Sequence, residues 1–470
     1  MRSRLEFLLK LFTIPMILII KNGKIINADN SIKADVMCRD GKIIRISENL
    51  IPDSKHDKVI DASGCYVLPG GIDPHVHMHL PSFAGFSSDD FLSGSVAALF
   101  GGTTSIIDFV TPQKGETLSD AIEKRKLEAK NSLTNYSLHV SPIEWRNTLE
   151  DEIKNCIGIG LKSFKVYMAY KDRVGLNDDV LLKVMKAVGN EGGMVTVHCE
   201  LGDDIEELRN KFASENKLSP EYHLLSRPAR LEAGAVKKAI DLAKEADCPL
   251  YIVHVSTKQS LRYISAAQKK GQKVMAETCP QYLLLDDSKY YGDFDNVAPF
   301  VMSPPLRKKE DMKALWEGIS NGTIQTIGTD HCPFTNKQKE NGKYDFRKIP
   351  NGAGGVEHRL ALIYTYGVLT GKISLNQFVA LTSTNTAKIF DLFPSKGIIA
   401  EGSDADIVVW NPEKENIISA KTHHQNCDNN IYEGLYTFGD PEYVICNGEI
   451  AVENAKRFCG MKRGKLIKRK

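Results

Sequence analysis

Eight short apolar runs, spaced by segments of helical length, constrain this chain more than any other feature of its sequence. The runs read YVLPGGIDPHVH, TTSIIDFV, NYSLHVSP, SFKVYMAY, MVTVHCE, PLYIVHVS, KVMAETCPQY and IQTIGTDH. Between them, Ser88–Phe100, Leu118–Ser132, Asp178–Asn190, Ala233–Glu245, Lys258–Lys269 and Lys309–Ser320 carry apolar residues at helical spacing, several after capping-type residues. Strands that alternate with helices pair in parallel, because a parallel pair needs a long crossover. Eight such repeats predict an α/β fold whose sheet closes on itself, a (β/α)8 TIM barrel.

The two chain ends follow a different pattern. MILIIKNGKIIN, IKADVMCRDGKIIRIS and KVIDASGCYVLPG read as short strands, with Asn22-Gly23 and Asp40-Gly41 as hairpin-type turns. After the eighth run, Gly355–Thr370 and Ser374–Phe390 look helical, and strand patterning returns at Gly402–Trp410 and Tyr443–Glu449. The ends are therefore expected to join into one β-sandwich beside the barrel. The expected division is residues 16–68 with 395–455 for the sandwich and 69–394 for the catalytic barrel. Residues 1–15 are expected to be a disordered N-terminal extension, with Met16 as an alternative start, and the basic stretch 456–470 a solvated tail.

Composition narrows the partner. The chain has 61 Lys and Arg against 59 Asp and Glu in 470 residues, so charge does not point to nucleic acid or an anionic membrane. The uncharged stretch Leu11–Ile20 is too short to span a bilayer. Ten cysteines occur at irregular intervals with no Cys-x-x-Cys, as expected for reduced thiols in the cytoplasm. A small-molecule substrate is the remaining expectation.

In a closed parallel barrel, catalytic groups sit at the C-terminal ends of the strands, which singles out the polar residues that end the runs. The first run supplies His75 and His77, sent to one side by alternation along the strand. Twelve histidines in a chain of this length produce about a third of one His-x-His pair by chance, so the pair alone specifies little. The fourth run adds Lys165, the fifth His198, the sixth His254 and the eighth Asp330. Taken singly, these read equally as a satisfied core histidine, a snorkelling lysine or a helix-capping acid. Taken together, six ligand-type groups aimed at one rim are not explained by packing. Four histidines and an aspartate exceed the ligand number of one tetrahedral centre and predict two divalent ions, Zn²⁺ suiting the donors best. Lys165 is out of place among cations as an ammonium. Deprotonated and combined with CO₂, it becomes an N6-carboxylated lysine, a carbamate able to bridge both ions.

The motifs GGIDPHVH, FKVYMAY, VHCE, IVHVS, ETCPQYL, MSPPLR, GTDHCP, IPNG, GGVEHR and GSDADIVVWNP resemble, in order, those of the cyclic amidohydrolases, specifically the dihydropyrimidinases and hydantoinases. The resemblance runs from about Met16 to about Glu449. It implies a TIM barrel with a flanking sandwich from both termini, commonly assembled as a homotetramer. It further implies that the residues matching His75, His77 and Asp330 hold the more buried metal and those matching His198 and His254 the second, with carboxylated Lys165 between them. By the same resemblance, a metal-bridging hydroxide attacks the cyclic amide and Asp330 passes its proton to the leaving ring nitrogen. The Tyr170 hydroxyl then stabilises the oxyanion, and main-chain groups at Ser303 and Asn351 hold the substrate amide.

The ring that is cut is expected to be 5,6-dihydrouracil or dihydrothymine, opened to an N-carbamoyl-β-amino acid in pyrimidine catabolism; 5-substituted hydantoins are the close alternative. Dihydroorotases carry Arg after the paired histidines, where this chain has His79, and an imidazole is a poor substitute for a guanidinium clamp on a carboxylate. Allantoinases look similar around His198, but ETCPQYL and MSPPLR fit the dihydropyrimidinases and hydantoinases better. Met78–Phe86 departs from the commonest family pattern and is expected to line the substrate's exocyclic side, with His79 supporting the metal shell or touching substrate. A further alternative is a non-catalytic scaffold like the collapsin-response mediator proteins. These have lost metal ligands, and the full set of six here argues against that reading.

Overall fold

The structure, a computed structural model, describes residues 17–52, 54–454, 456–457 and 461–469. The eight apolar runs form one eight-stranded parallel sheet: β1 Gly71–Val76, β2 Thr103–Val110, β3 Asn135–Val140, β4 Ser163–Tyr167, β5 Met194–His198, β6 Leu250–Ile252, β7 Val274–Thr278 and β8 Thr326–Ile327. Each strand pairs with the next in chain order, and every residue of β2 and β3 is buried, as expected for a sheet covered on both faces. The seam between β1 and β8 closes by a parallel bridge of Val76 with His331 and the His77 amide donating to the His331 carbonyl at 2.8 Å. The Arg359 guanidinium, fully buried, reinforces the seam by donating to the carbonyls of Ile72 and Ile327, both at 2.9 Å.

The helices form because one face of each segment is apolar. In Asp178–Asn190 the buried residues are Leu181, Val184, Met185, Ala187 and Val188, a stripe at helical spacing, and Asp178 and Asp179 occupy the first turn, where the helix dipole favours them. Lys258–Lys269 and Lys309–Ser320 fall where periodicity places them, and the Ala233–Glu245 segment begins earlier, at Ala229. The two late segments are interrupted by π-helical stretches at Tyr364–Val368 and Ala380–Thr384. Among the described residues no helix is long and apolar enough to cross a membrane.

Both chain ends contribute to two further sheets. One has the order Lys42–Ser47, Asp35–Arg39, Leu18–Lys21, Lys58–Asp61; the second contains Ser31–Lys33, Lys24–Ile26, Tyr66–Pro69, Ile407–Ile417, Tyr436–Cys446, Glu449–Glu453 and Lys456–Arg457. Leu18, Ile20, Val36 and Ile60 from the first pack with Ile25, Val67, Ile407, Val409 and Ile445 from the second in one buried core. This is the flanking sandwich built by both termini.

Two expectations are corrected here. Asp40-Gly41 does turn a hairpin, but Asn22-Gly23 carries the chain from one sheet into the other: Leu18–Lys21 pairs with Asp35–Arg39 and Lys58–Asp61, whereas Lys24–Ile26 pairs with Ser31–Lys33 and Tyr66–Pro69. Asn22 adopts φ 65°, and its amide and side chain are held by Asp35 and Asp61 at 2.9 and 2.8 Å. A left-handed Asn serves a corner as readily as a hairpin. The second correction is the basic tail, of which 461–469 is tied to the barrel by its main chain and by Arg469, while Lys462, Arg463, Lys465 and Lys468 stay exposed as expected. Tyr136 and Ile467 bond the tail to β3, the Arg469 amide donates to the Gly160 carbonyl at 3.0 Å, and the Arg469 side chain is 4% exposed. Its guanidinium lies 5.2 Å from the Phe390 ring centroid and donates to Ser163 Oγ and, at 3.2 Å, to the Leu138 carbonyl. A long cationic side chain buries its stem where an aromatic face and carbonyl acceptors meet, which composition alone does not reveal. The expected extension, residues 1–15, lies outside the described residues.

Candidate metal centre

The barrel brings all six ligand-type residues to the rim formed by the C-terminal strand ends. His75 Nε2 and His77 Nε2 stand 3.2 Å apart, and each is 3.1 Å from Asp330 Oδ1. Donors about 2.0–2.1 Å from one tetrahedral ion stand about 3.3 Å from each other. These three atoms therefore already form one face of such a site, and they are the group of side chains able to hold a metal among the described residues. His77 is held flat against Phe109, ring centroids 4.6 Å apart, which orients it without occupying its nitrogens.

The second cluster adjoins the first, with the His75 and His254 ring centroids 5.5 Å apart. His198 Nδ1 and His254 Nε2 are 2.9 Å apart, close enough to share one ligand. The β4–β5 register sets Tyr167 level with His198 and Lys165 two residues behind, so Lys165 and Tyr167 leave β4 on the same side. Lys165 is 1% exposed, with Nζ 4.9 Å from the Phe109 ring centroid and 5.0 Å from that of Tyr167. Among the described residues no carboxylate pairs with it.

Electrostatics match this geometry. Burial would raise the Asp330 carboxyl, but His75 and His77 hold it well below the usual carboxylate range. Burial lowers His77, His198 and His254, keeping these rings neutral and able to donate a lone pair. On His75 burial is outweighed by the Glu277 and Asp330 carboxylates, which raise it to about 9. A pocket that attracts positive charge so strongly suits a cation. Burial lowers Lys165 to about 8 against the opposing pull of Asp330 and Glu277, leaving part of it as free amine near neutrality.

Buried acids orient these ligands. Glu277 Oε1 accepts from His75 Nδ1 at 2.7 Å and from the His254 amide at 3.1 Å, while its other oxygen accepts from the Tyr251 hydroxyl at 2.8 Å. Glu200 lies 2.9 Å from His198 Nε2 and forms a buried ion pair with Arg227. Asp73 accepts from the His75 amide and from the Thr329 hydroxyl, and Asp108 accepts from the Met78 amide and Arg125. A carboxylate behind a ligating imidazole fixes its tautomer and raises its basicity. Sequence reasoning passed over these four acids. Their signal is a carboxylate inside an otherwise apolar strand, as in KVMAETC or TTSIIDFV.

Tyr170, at φ 60°, lies beside His198 with the rings tilted and their centroids 5.4 Å apart, and Asn351 Nδ2 donates to Ser303 Oγ at 2.9 Å. His79 instead stacks on Phe86, ring centroids 3.9 Å apart, and lines an open crevice with Ser87, Ser88 and His424. It forms no hydrogen bond to His75, His77 or Asp330 among the described residues, so a direct metal-supporting role is not seen.

A parallel barrel with histidines and an acid converging at its C-terminal rim defines the class of metal-binding (β/α)8 hydrolases. The profile of the amidohydrolase family matches residues 66–451, and the chain belongs to that family. It is 44% identical over 455 residues to the D-hydantoinase of Geobacillus stearothermophilus, covering 96% of each chain. It is 42% identical over 459 residues to the dihydropyrimidinase of Rattus norvegicus, covering 96% of this chain and 88% of the rat protein. A crystal structure of D-hydantoinase superposes with a TM-score of 0.95 at 43% identity, covering 97% of this chain and 99% of the other.

Proposed function

We propose that this chain is a metal-dependent hydrolase that opens the cyclic amide of 5,6-dihydropyrimidines to N-carbamoyl-β-amino acids. The observation that carries this reading is the convergence of His75, His77 and Asp330 on one point in a chain similar over nearly its whole length to enzymes of cyclic amides. In the full proposal His75, His77 and Asp330 would hold one Zn²⁺ ion and His198 and His254 a second, with N6-carboxylated Lys165 as a further ligand. When bound, two such ions would supply hydroxide at neutral pH and polarise the scissile carbonyl.

The chain's own groups account for the rest of the reaction. Water adds to the carbonyl carbon, and the Asp330 carboxylate takes the proton that the attacking oxygen sheds. The Tyr170 hydroxyl donates to the developing oxyanion. Main-chain groups of Ser303 and Asn351 hold the ring's amide. As the carbon–nitrogen bond breaks, Asp330 returns the proton to the leaving ring nitrogen, so one water is consumed and no other reactant is needed. The reading includes a homotetramer in the cytoplasm, and the nine described cysteines, all free, support the reducing compartment. It also assigns 16–68 with 395–455 to the sandwich and 69–394 to the barrel.

A second reading, turnover of 5-substituted hydantoins, is favoured by the similarity to D-hydantoinases. Ring opening of dihydrouracil, 5-substituted hydantoins, dihydroorotate and allantoin, measured side by side with bound metal counted, separates the two. We expect dihydrouracil to lead with about two metals per chain. A hydantoin in first place transfers the mechanism to that ring, and absence of both turnover and metal overturns it. The Glu277→Gln variant is expected to bind metal about 10–100-fold more weakly, read by chelator competition, because His75 loses the carboxylate behind it.

A further inference from the structure

Lys339 ends the short helix Asn336–Lys339 in the excursion after β8, a helix held by a Thr335 capping box. Its side chain turns inward and is 1% exposed. The ammonium donates to three main-chain carbonyls: Val301 at 3.0 Å, Pro350 at 2.8 Å and Gly352 at 2.8 Å. An ammonium has three donors, and here each has one acceptor. Among the described residues no carboxylate pairs with it. Burying a cation is costly, and packing alone would be served by a methionine. What the charge does provide is a reason for three carbonyl oxygens, whose dipoles repel one another, to converge.

Those carbonyls belong to the two segments that carry Ser303 and Asn351. The segments are tied again where the Gly352 amide donates to the Val301 carbonyl at 3.0 Å and Asn351 Nδ2 to Ser303 Oγ at 2.9 Å. The Cys332 amide donates to the Ala353 carbonyl at 2.9 Å, which fastens this pair of segments to the chain two residues past Asp330. We propose that Lys339 is a positioning residue whose ammonium sets the spacing of segments 301–303 and 350–352, and thereby the affinity and selectivity for the ring amide. The inference rests on the reading of Ser303 and Asn351 as substrate contacts.

The test uses the metal-loaded enzyme, with Lys339→Met and Lys339→Gln compared with wild type. The readouts are kcat, KM, bound metal, and discrimination between a ring and the same ring methylated on its uncleaved nitrogen. Both variants should keep full metal and a kcat within about threefold, while KM rises about tenfold or more and discrimination collapses, Lys339→Gln being the milder. In Lys339→Ala, added n-propylamine should restore KM. Folded variants with wild-type KM and discrimination overturn the proposal. Should wild type itself not discriminate against the methylated ring, the substrate-contact reading fails instead.

Discussion

Replacing Lys165 by Ala is expected to abolish ring opening, lowering kcat by at least about a thousandfold, and to leave the enzyme short of metal. Lys165 is walled by Phe109, the ring on which His77 stacks, and by Tyr167. Among the described residues no carboxylate forms an ion pair with it, and burial draws it down to about 8 against the pull of Asp330 and Glu277. A lysine so placed is a poor counter-ion but a good nucleophile toward CO₂, because only the free amine forms a carbamate. The sign of the pH effect follows. Below about pH 8 a growing fraction is ammonium, so metal loading of stripped enzyme should become slower and more dependent on added bicarbonate as pH falls. Short carboxylic acids should recover part of the lost rate in Lys165→Ala by placing an oxygen pair in the vacated slot. Wild-type turnover in that variant would sink the carbamate reading.

Asp330→Asn is expected to cost a comparable factor in kcat, again at least about a thousandfold, with little change in thermal stability. Asp330 has φ 54°, a left-handed conformation that asparagine also tolerates, so the substitution removes the charge and the oxygen proposed to carry the proton while sparing the backbone. Asp330 Oδ1 is the atom shared by His75 and His77, and their influence keeps the carboxyl ionised. An amide in its place donates where the site requires an acceptor and cannot shuttle a proton. Metal analysis separates the two contributions: reconstituted Asp330→Asn with a full complement of metal and no turnover isolates the proton transfer. Near-normal kcat in that enzyme would refute the role of Asp330 as the proton carrier.

Backbone strain gathers at the same place. Tyr170, His254 and Asp330 are all non-glycine residues in the left-handed region, at φ 60°, 41° and 54°. Such conformations persist only where the surroundings over-determine them, and they cluster at functional sites. For His254 the restraint is visible in the Glu277 carboxylate that accepts from its amide.

Much of this molecule was legible in the chain itself. Strand and helix periods are local properties, so the eight runs and most of the long helices could be located from spacing alone, and the barrel rule then aimed His75, His77, Lys165, His198, His254 and Asp330 at one rim. The tertiary structure decided which partners stand behind those ligands. His75 meets Glu277 across 202 residues of chain, and Arg469 meets Ser163 across 306, contacts that no local period encodes. It decided that Asn22 turns between sheets instead of within one, that the basic tail closes on the barrel, and that a lysine with no acid beside it clamps three carbonyls. The physical reason is common to all of these. Periodicity follows from the geometry of a single element, whereas the fate of a buried charge depends on which donors and acceptors from distant segments surround it.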